Sequence, residues 1–236
     1  MHIIKPMVFE IKLKNSLLAL SAFPAVIGVI GMVFLLHILP ISGAGFFYNY
    51  DPAYTYLLNG LTMLDGNAPD HIDHPGTPLQ ILVAIVVFIR WLIAGINPDM
   101  VADAIENPEA YIASVSWVLL ALNVGAAFYF GKKVYAATGS FVSAMICQSA
   151  PVLFLATAVR VVYLSPEALL LFFSMILLGM LAPIFFSSDA KNINTAKVSP
   201  VAVGLVSGFG IAAKITFLPM LPLLFLLGSR KKIFKS

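Results

Sequence analysis

Long apolar runs separated by short polar segments dominate the chain. They occupy residues 17–40, 78–96, 112–130, 140–158, 168–186 and 201–227. A helix rises about 1.5 Å per residue, so about 20 apolar residues suffice to cross a hydrocarbon core about 30 Å thick. The pattern predicts an all-α fold, a polytopic membrane helical bundle. The last run is too long for one ordinary span. It carries Lys214 near its middle and Pro219 and Pro222 just after. It therefore reads as two short helices folded at the lysine, which brings the expectation to about six spanning helices. The first run is too long for the apolar stretch of a cleaved leader and reads as an anchor.

Composition agrees with this class. Apolar residues make up 60% of the 236 residues, charged residues only 11%, and the mean hydropathy is +0.96. A soluble domain carries about 25% charged residues, so this chain has too little charge to clothe a water-exposed surface. The net charge of +3 is small. The bases are scattered in short clusters, which argues against a nucleic-acid partner. The single cysteine, Cys147, sits in an apolar run and reads as a buried thiol.

The charged residues also set an orientation. Lysine and arginine favour the cytoplasmic side. They cluster at Lys5, Lys12 and Lys14, at Lys132 and Lys133, at Lys191 and Lys197, and in the tail 229–236. Segment 42–111 is the opposite, with eight of the eleven acids and one base, Arg90. If 78–96 crossed the membrane, Lys132 and Lys133 would fall outside. If it lies along the interface, every basic loop is cytoplasmic. The second layout is the expected one. Segment 42–111 is then a long first outer loop holding two juxtamembrane helices, 53–64 and 78–96. The whole chain, 1–236, reads as one membrane module with a basic cytoplasmic tail.

Polar groups beside a membrane are costly and mark candidate chemistry. Tyr48-Asn49-Tyr50-Asp51-Pro52 follows the first run. Asp51 suits the N-cap of a helix with Pro52 at its first position. A carboxylate ringed by Tyr50, Tyr54 and other aromatics also suits a general base. Asp70-His71-Ile72-Asp73-His74-Pro75 places two Asp and two His close together. That stretch serves either as a polar turn or as ligands to a divalent metal, although it has no standard zinc spacing. Arg160-Val-Val-Tyr-Leu-Ser165-Pro166-Glu167 ends in a helix-start signature. Arg160 also suits a phosphate. Lys214 is either a snorkelling lysine or a second phosphate contact.

At Asp51, His74-Pro75 and Ser165-Pro166-Glu167 the chain resembles the N-terminal membrane module of the GT-C glycosyltransferases, of the protein O-mannosyltransferase and aminoarabinose transferase type. His74-Pro75-Gly76-Thr77-Pro78 resembles the family's His-Pro-Pro motif, with glycine in place of the second proline. The stretch 204–214 resembles its glycine-rich helix ending in a lysine. The resemblance implies transfer of a sugar from a polyprenyl-phosphate donor to a lipid, glycan or protein acceptor. The site would face outward from a bacterial inner (plasma) membrane. It implies Asp51, Glu167 and His74 as catalytic residues; the residues' own chemistry adds Asp73 beside them, Arg160 and Lys214 on the donor phosphate, and Tyr50 and Tyr54 lining the substrate. Inversion at the anomeric carbon by direct displacement is expected. No cofactor is firmly implied beyond the lipid-linked sugar itself. Family members continue with further helices, so the chain is expected to be a truncated module.

A second reading is a non-catalytic module that binds a lipid-linked sugar or a partner subunit. A transporter fits less well, because no internal repeat is visible and the polar residues gather in outer segments rather than inside helices.

Overall fold

The computed structural model describes residues 19–38, 53–69, 76–153, 160–186 and 198–224. Helix α1, Ala22–Val33, continues into a π-helical turn, Phe34–Ile38. Helices α2 (Ala53–Leu64), α3 (Thr77–Ala94) and the short α4 (Met100–Glu106) follow. Then come α5 (Pro108–Thr138), α6 (Phe141–Leu153), α7 (Pro166–Phe186) and α8 (Pro200–Ala213). A 3-10 helix, Ile215–Met220, follows, and the described chain ends in a further helical turn at residues 222–224. The described residues contain no strand, and the protein is an all-α membrane helical bundle.

Three described helices, α3, α5 and α7, are long and apolar enough to cross a membrane by length and composition. Ala22–Leu36, α8 and Ile215–Leu224 are apolar but shorter. The sequence reading expected about six spans. Runs 17–40, 140–158 and 201–227 appear as shorter helices, and part of each lies outside the described residues. The segment expected to lie along the interface forms α3, 18 residues long and of spanning hydropathy. Its outward stripe is apolar: Ile81, Ile85, Phe88, Ile89 and Leu92 are exposed. Its inward stripe, Leu79, Val83 and Val87, is fully buried. Cys147 is partly exposed rather than buried, because α6 turns neighbouring Ile146 and Val142 outward.

Side-chain register fixes the helix directions. Gly31 packs on Leu120 and Gly28 near Val124, so α1 runs antiparallel to α5. Gly139, in the left-handed region at φ 66°, ends α5 and turns the chain into α6. Gln148 of α6 then donates to the Ala127 carbonyl at 3.2 Å, closing an antiparallel hairpin. Asn123 meets Ala168, and Tyr129 and Phe130 meet Gly179, so α5 and α7 run the same way. Phe173 stacks on Phe209 at 6.1 Å and Glu167 meets Lys214, so α8 returns antiparallel to α7.

Helix α5 has 31 residues, about 46 Å of helix, and exceeds the hydrocarbon core. Asn123 lies level with the first turn of α7. The 15 residues of α5 before Asn123 therefore project about 22 Å past the start of α7. Helices α2, α3 and α4 pack on this projection, around Tyr111, Ile112, Val115 and Leu119. The second half of α5 packs against α1, α6 and α7 around Ala126, Ala127, Phe130 and Val134.

Candidate functional site

Three of the charged residues singled out in the sequence meet at the start of α7. The segment leading into it is anchored by apolar side chains: Val161 and Val162 are fully buried and Leu164 is 1% exposed. That anchoring turns Arg160 outward, with 45% of its side chain exposed. Ser165 is fully buried, and Pro166 takes the first helical position, where its missing N–H costs nothing. Glu167 follows in the first turn, where a negative charge is favoured by the helix dipole.

Lys214 arrives from the other side. Helix α8 ends at Ala213, and Lys214 adopts extended backbone, φ −161° and ψ 134°. Phe217, fully buried, folds back over Gly210, while Ala213 is buried in the cluster that holds Leu164, Ala168 and Leu169. The predicted fold at the lysine is therefore present, and the packing on both sides of it delivers the ammonium to α7. The Lys214 Nζ donates to Glu167 Oε1. The Arg160 Nη1 stands 3.6 Å from Glu167 Oε2. One carboxylate thus faces two cations, one on each oxygen.

Among the described residues, Glu167 is the one carboxylate in ion pairs with these cations. Two positive charges and one negative leave the cluster at +1. Side chains of Glu167 and Lys214 are 28% and 26% exposed, so the cluster is open on one side. Its arrangement suits binding of a single anion beside an apolar helix.

Asn123 of α5 completes the surroundings. It is fully buried. Its Nδ2 lies 3.0 Å from the Leu119 carbonyl, 3.1 Å from that of Ala168 and 3.4 Å from that of Val161. It thus bridges α5 to both ends of the segment bearing Arg160 and Glu167. The sequence reading missed it. The available signal was a lone carboxamide inside an otherwise apolar run.

A second polar cluster stands at the head of α5. Asp103, 3% exposed, accepts the backbone N–H of Ile96 at 2.9 Å and of Asn97 at 2.8 Å. The Tyr111 hydroxyl donates to its other oxygen. Arg90 lies over the Tyr111 ring, 5.1 Å from its centre, and donates to Ser114 at 3.1 Å. The Tyr111 hydroxyl and these N–H groups, with Arg90 nearby, hold the Asp103 carboxyl below the usual carboxylate range. Tyr54 donates to Glu109 at 2.7 Å, tying α2 to the start of α5. Burial, then this hydrogen bond, push its hydroxyl up to about 12, so Tyr54 stays a neutral donor.

Of the remaining predicted site residues, Tyr50, Asp51, Asp73 and His74 lie outside the described residues, as does the whole Asp70–His74 candidate metal stretch. Helix α2 is described from Ala53 onward, so the capping role expected of Asp51 also lies outside the described residues. Compared with known protein families, characterised proteins and solved structures, the chain matches none.

Proposed function

We propose that this protein is a membrane glycosyltransferase that moves a sugar from a polyprenyl-phosphate donor to an acceptor at the extracytoplasmic face. One observation carries the reading. Arg160, Glu167 and Lys214 come from two distant parts of the sequence and meet at one end of an apolar helix of spanning length. The excess positive charge of that cluster fits a phosphate diester beside a lipid chain.

In this reading Arg160 and Lys214 hold the donor phosphate. Asp51 takes the proton from the acceptor hydroxyl as the oxygen attacks the anomeric carbon. The bond between that carbon and the phosphate oxygen breaks, and polyprenyl phosphate leaves with its new charge stabilised by the two cations. Glu167 has both oxygens turned to cations, so it suits holding them in place better than taking a proton. His74 and Asp73 would orient donor or acceptor. The direction of α5 supports an outward site: Lys132 and Lys133 lie toward the end of α5 opposite the cluster, and such pairs favour the cytoplasmic side.

The engagement of Glu167 by two cations also favours a second reading, a module that binds a lipid-linked sugar without turning it over and serves a partner subunit. Reconstituting the full chain in lipid nanodiscs with a radiolabelled polyprenyl-phosphate sugar pool separates them. Turnover that Asp51→Asn abolishes, in a protein that still inserts, supports the transferase. Saturable donor binding without release of polyprenyl phosphate supports the binding module. No binding by the wild-type chain contradicts both.

A further inference from the structure

We infer that Asn123 is the positioning residue that holds the segment bearing Arg160 and Glu167 in register with α5. The inference concerns the phosphate site proposed above and rests on that reading for its functional meaning. Val161 lies outside regular helix, so its carbonyl has no helical partner and needs one when buried. The residue is fully buried, and the Asn123 amide lies 3.4 Å from that carbonyl. The same amide reaches the Ala168 carbonyl at 3.1 Å, one residue past Glu167. An amide nitrogen carries two hydrogens. With Leu119 of its own helix at 3.0 Å, three carbonyls share them.

One side chain thus spans the segment 160–167 at both ends, while Arg160 and Glu167 project from between and beside those two anchor points. Val161, Val162 and Leu164 pack the segment down and turn Arg160 outward, and the Asn123 amide adds directional bonds at both its ends. Asn123 is distant in sequence from every charged member of the cluster, and it needs no contact with a ligand to act.

The test uses the full chain in nanodiscs, as wild type, Asn123→Ala and Asn123→Gln. Amide hydrogen exchange is read across 160–168 and across the remote hairpin of α5 and α6. Affinity is read with farnesyl phosphate as the probe and uncharged farnesol as the control. The expected result for Asn123→Ala is about tenfold faster exchange confined to 160–168. The same variant should bind farnesyl phosphate about tenfold more weakly, with farnesol unchanged. Unchanged exchange across 160–168 overturns the inference, as does an increase spread equally over the hairpin. Faster local exchange in a protein whose wild type does not bind farnesyl phosphate leaves the positioning role standing and removes the proposed ligand. If Asn123→Ala does not fold, Asn123→Gln carries the test, because its longer arm keeps a donor but shifts it from the two carbonyls. The same confined increase is expected, and none overturns the inference.

Discussion

At the head of α5, Asp103 has its carboxylate filled by two backbone N–H groups and a tyrosine hydroxyl, all within 16 residues of one another. At the head of α7, Glu167 faces two cations brought from 160 and 214, and the cluster keeps a net positive charge. The two sites use the same chemistry for different ends. The first is closed. Asp103 is buried and its partners are close in sequence, so it ties the end of α3 and the short α4 to the start of α5. The second is open on one side, unbalanced in charge and assembled from distant segments. A buried carboxylate whose partners match its capacity stabilises a fold. A partly exposed one with surplus cation around it leaves an interaction for something else to complete.

The contrast is sharpest in double replacement of Arg160 and Lys214 by Gln. Binding of polyprenyl phosphate in nanodiscs should fall about 100-fold or more, since two charge-assisted contacts are lost. The thermal midpoint should move little, because both side chains are partly exposed. Equal binding by the variant would make this cluster as structural as the other. Asp103→Leu is the converse. It leaves the Tyr111 hydroxyl and the Ile96 and Asn97 N–H groups without their acceptor. The thermal midpoint in detergent should drop by more than about 4 °C, while phosphate affinity in the protein that remains folded is kept. Loss of affinity without loss of stability would reverse the assignment.

A pH series distinguishes the clusters further. The folded value of Asp103 is depressed, chiefly by the Tyr111 hydroxyl. Its contribution to stability is therefore complete above the unfolded carboxylate range near about 4 and disappears as pH falls through the folded value. Wild type should lose stability on acidification below about 4 more steeply than Asp103→Asn. Parallel acid limbs would contradict the closed reading of that site. The smallest effect is expected for Tyr54→Phe. Its hydrogen bond to Glu109 is exposed, and the midpoint should shift by no more than about 2–4 °C.

Much of the frame was legible because each signal was local. The helix at 53–64 has the same bounds in the structure, and the Ser165-Pro166-Glu167 start of α7 and the break at Lys214 fall where proline and lysine placed them. The short α4 was missed. Its one local signal is Asp99, whose side chain accepts from the N–H groups of Val101 and Ala102, and it buries only Asp103 and Ala104 rather than an apolar stripe. The apolar pattern predicts a helix over 112–130, whereas α5 runs from Pro108 to Thr138. Apolar pattern ends at Lys132 and Lys133, yet the backbone continues until Gly139, with Lys133 lying over Tyr129 at 5.5 Å. Hydropathy reports where lipid would be, while proline and glycine report where the helix stops. Asn123 stands out as a lone carboxamide, but its contacts are illegible for a different reason. Its carbonyl partners belong to residues 161 and 168, and no pattern along one helix encodes a contact across 38 residues and 45 residues of chain.

The most direct measurement is the affinity for farnesyl phosphate, in nanodiscs at fixed salt, of wild type, Lys214→Gln, Arg160→Gln and Glu167→Gln. If the cluster is an anion site with one built-in counter-charge, affinity follows its net charge: Glu167→Gln binds at least as tightly as wild type, and the other two bind more weakly. If Glu167→Gln loses as much as Lys214→Gln, or if all four proteins bind alike, the three residues are an internal ion-pair network and the account of the site is wrong.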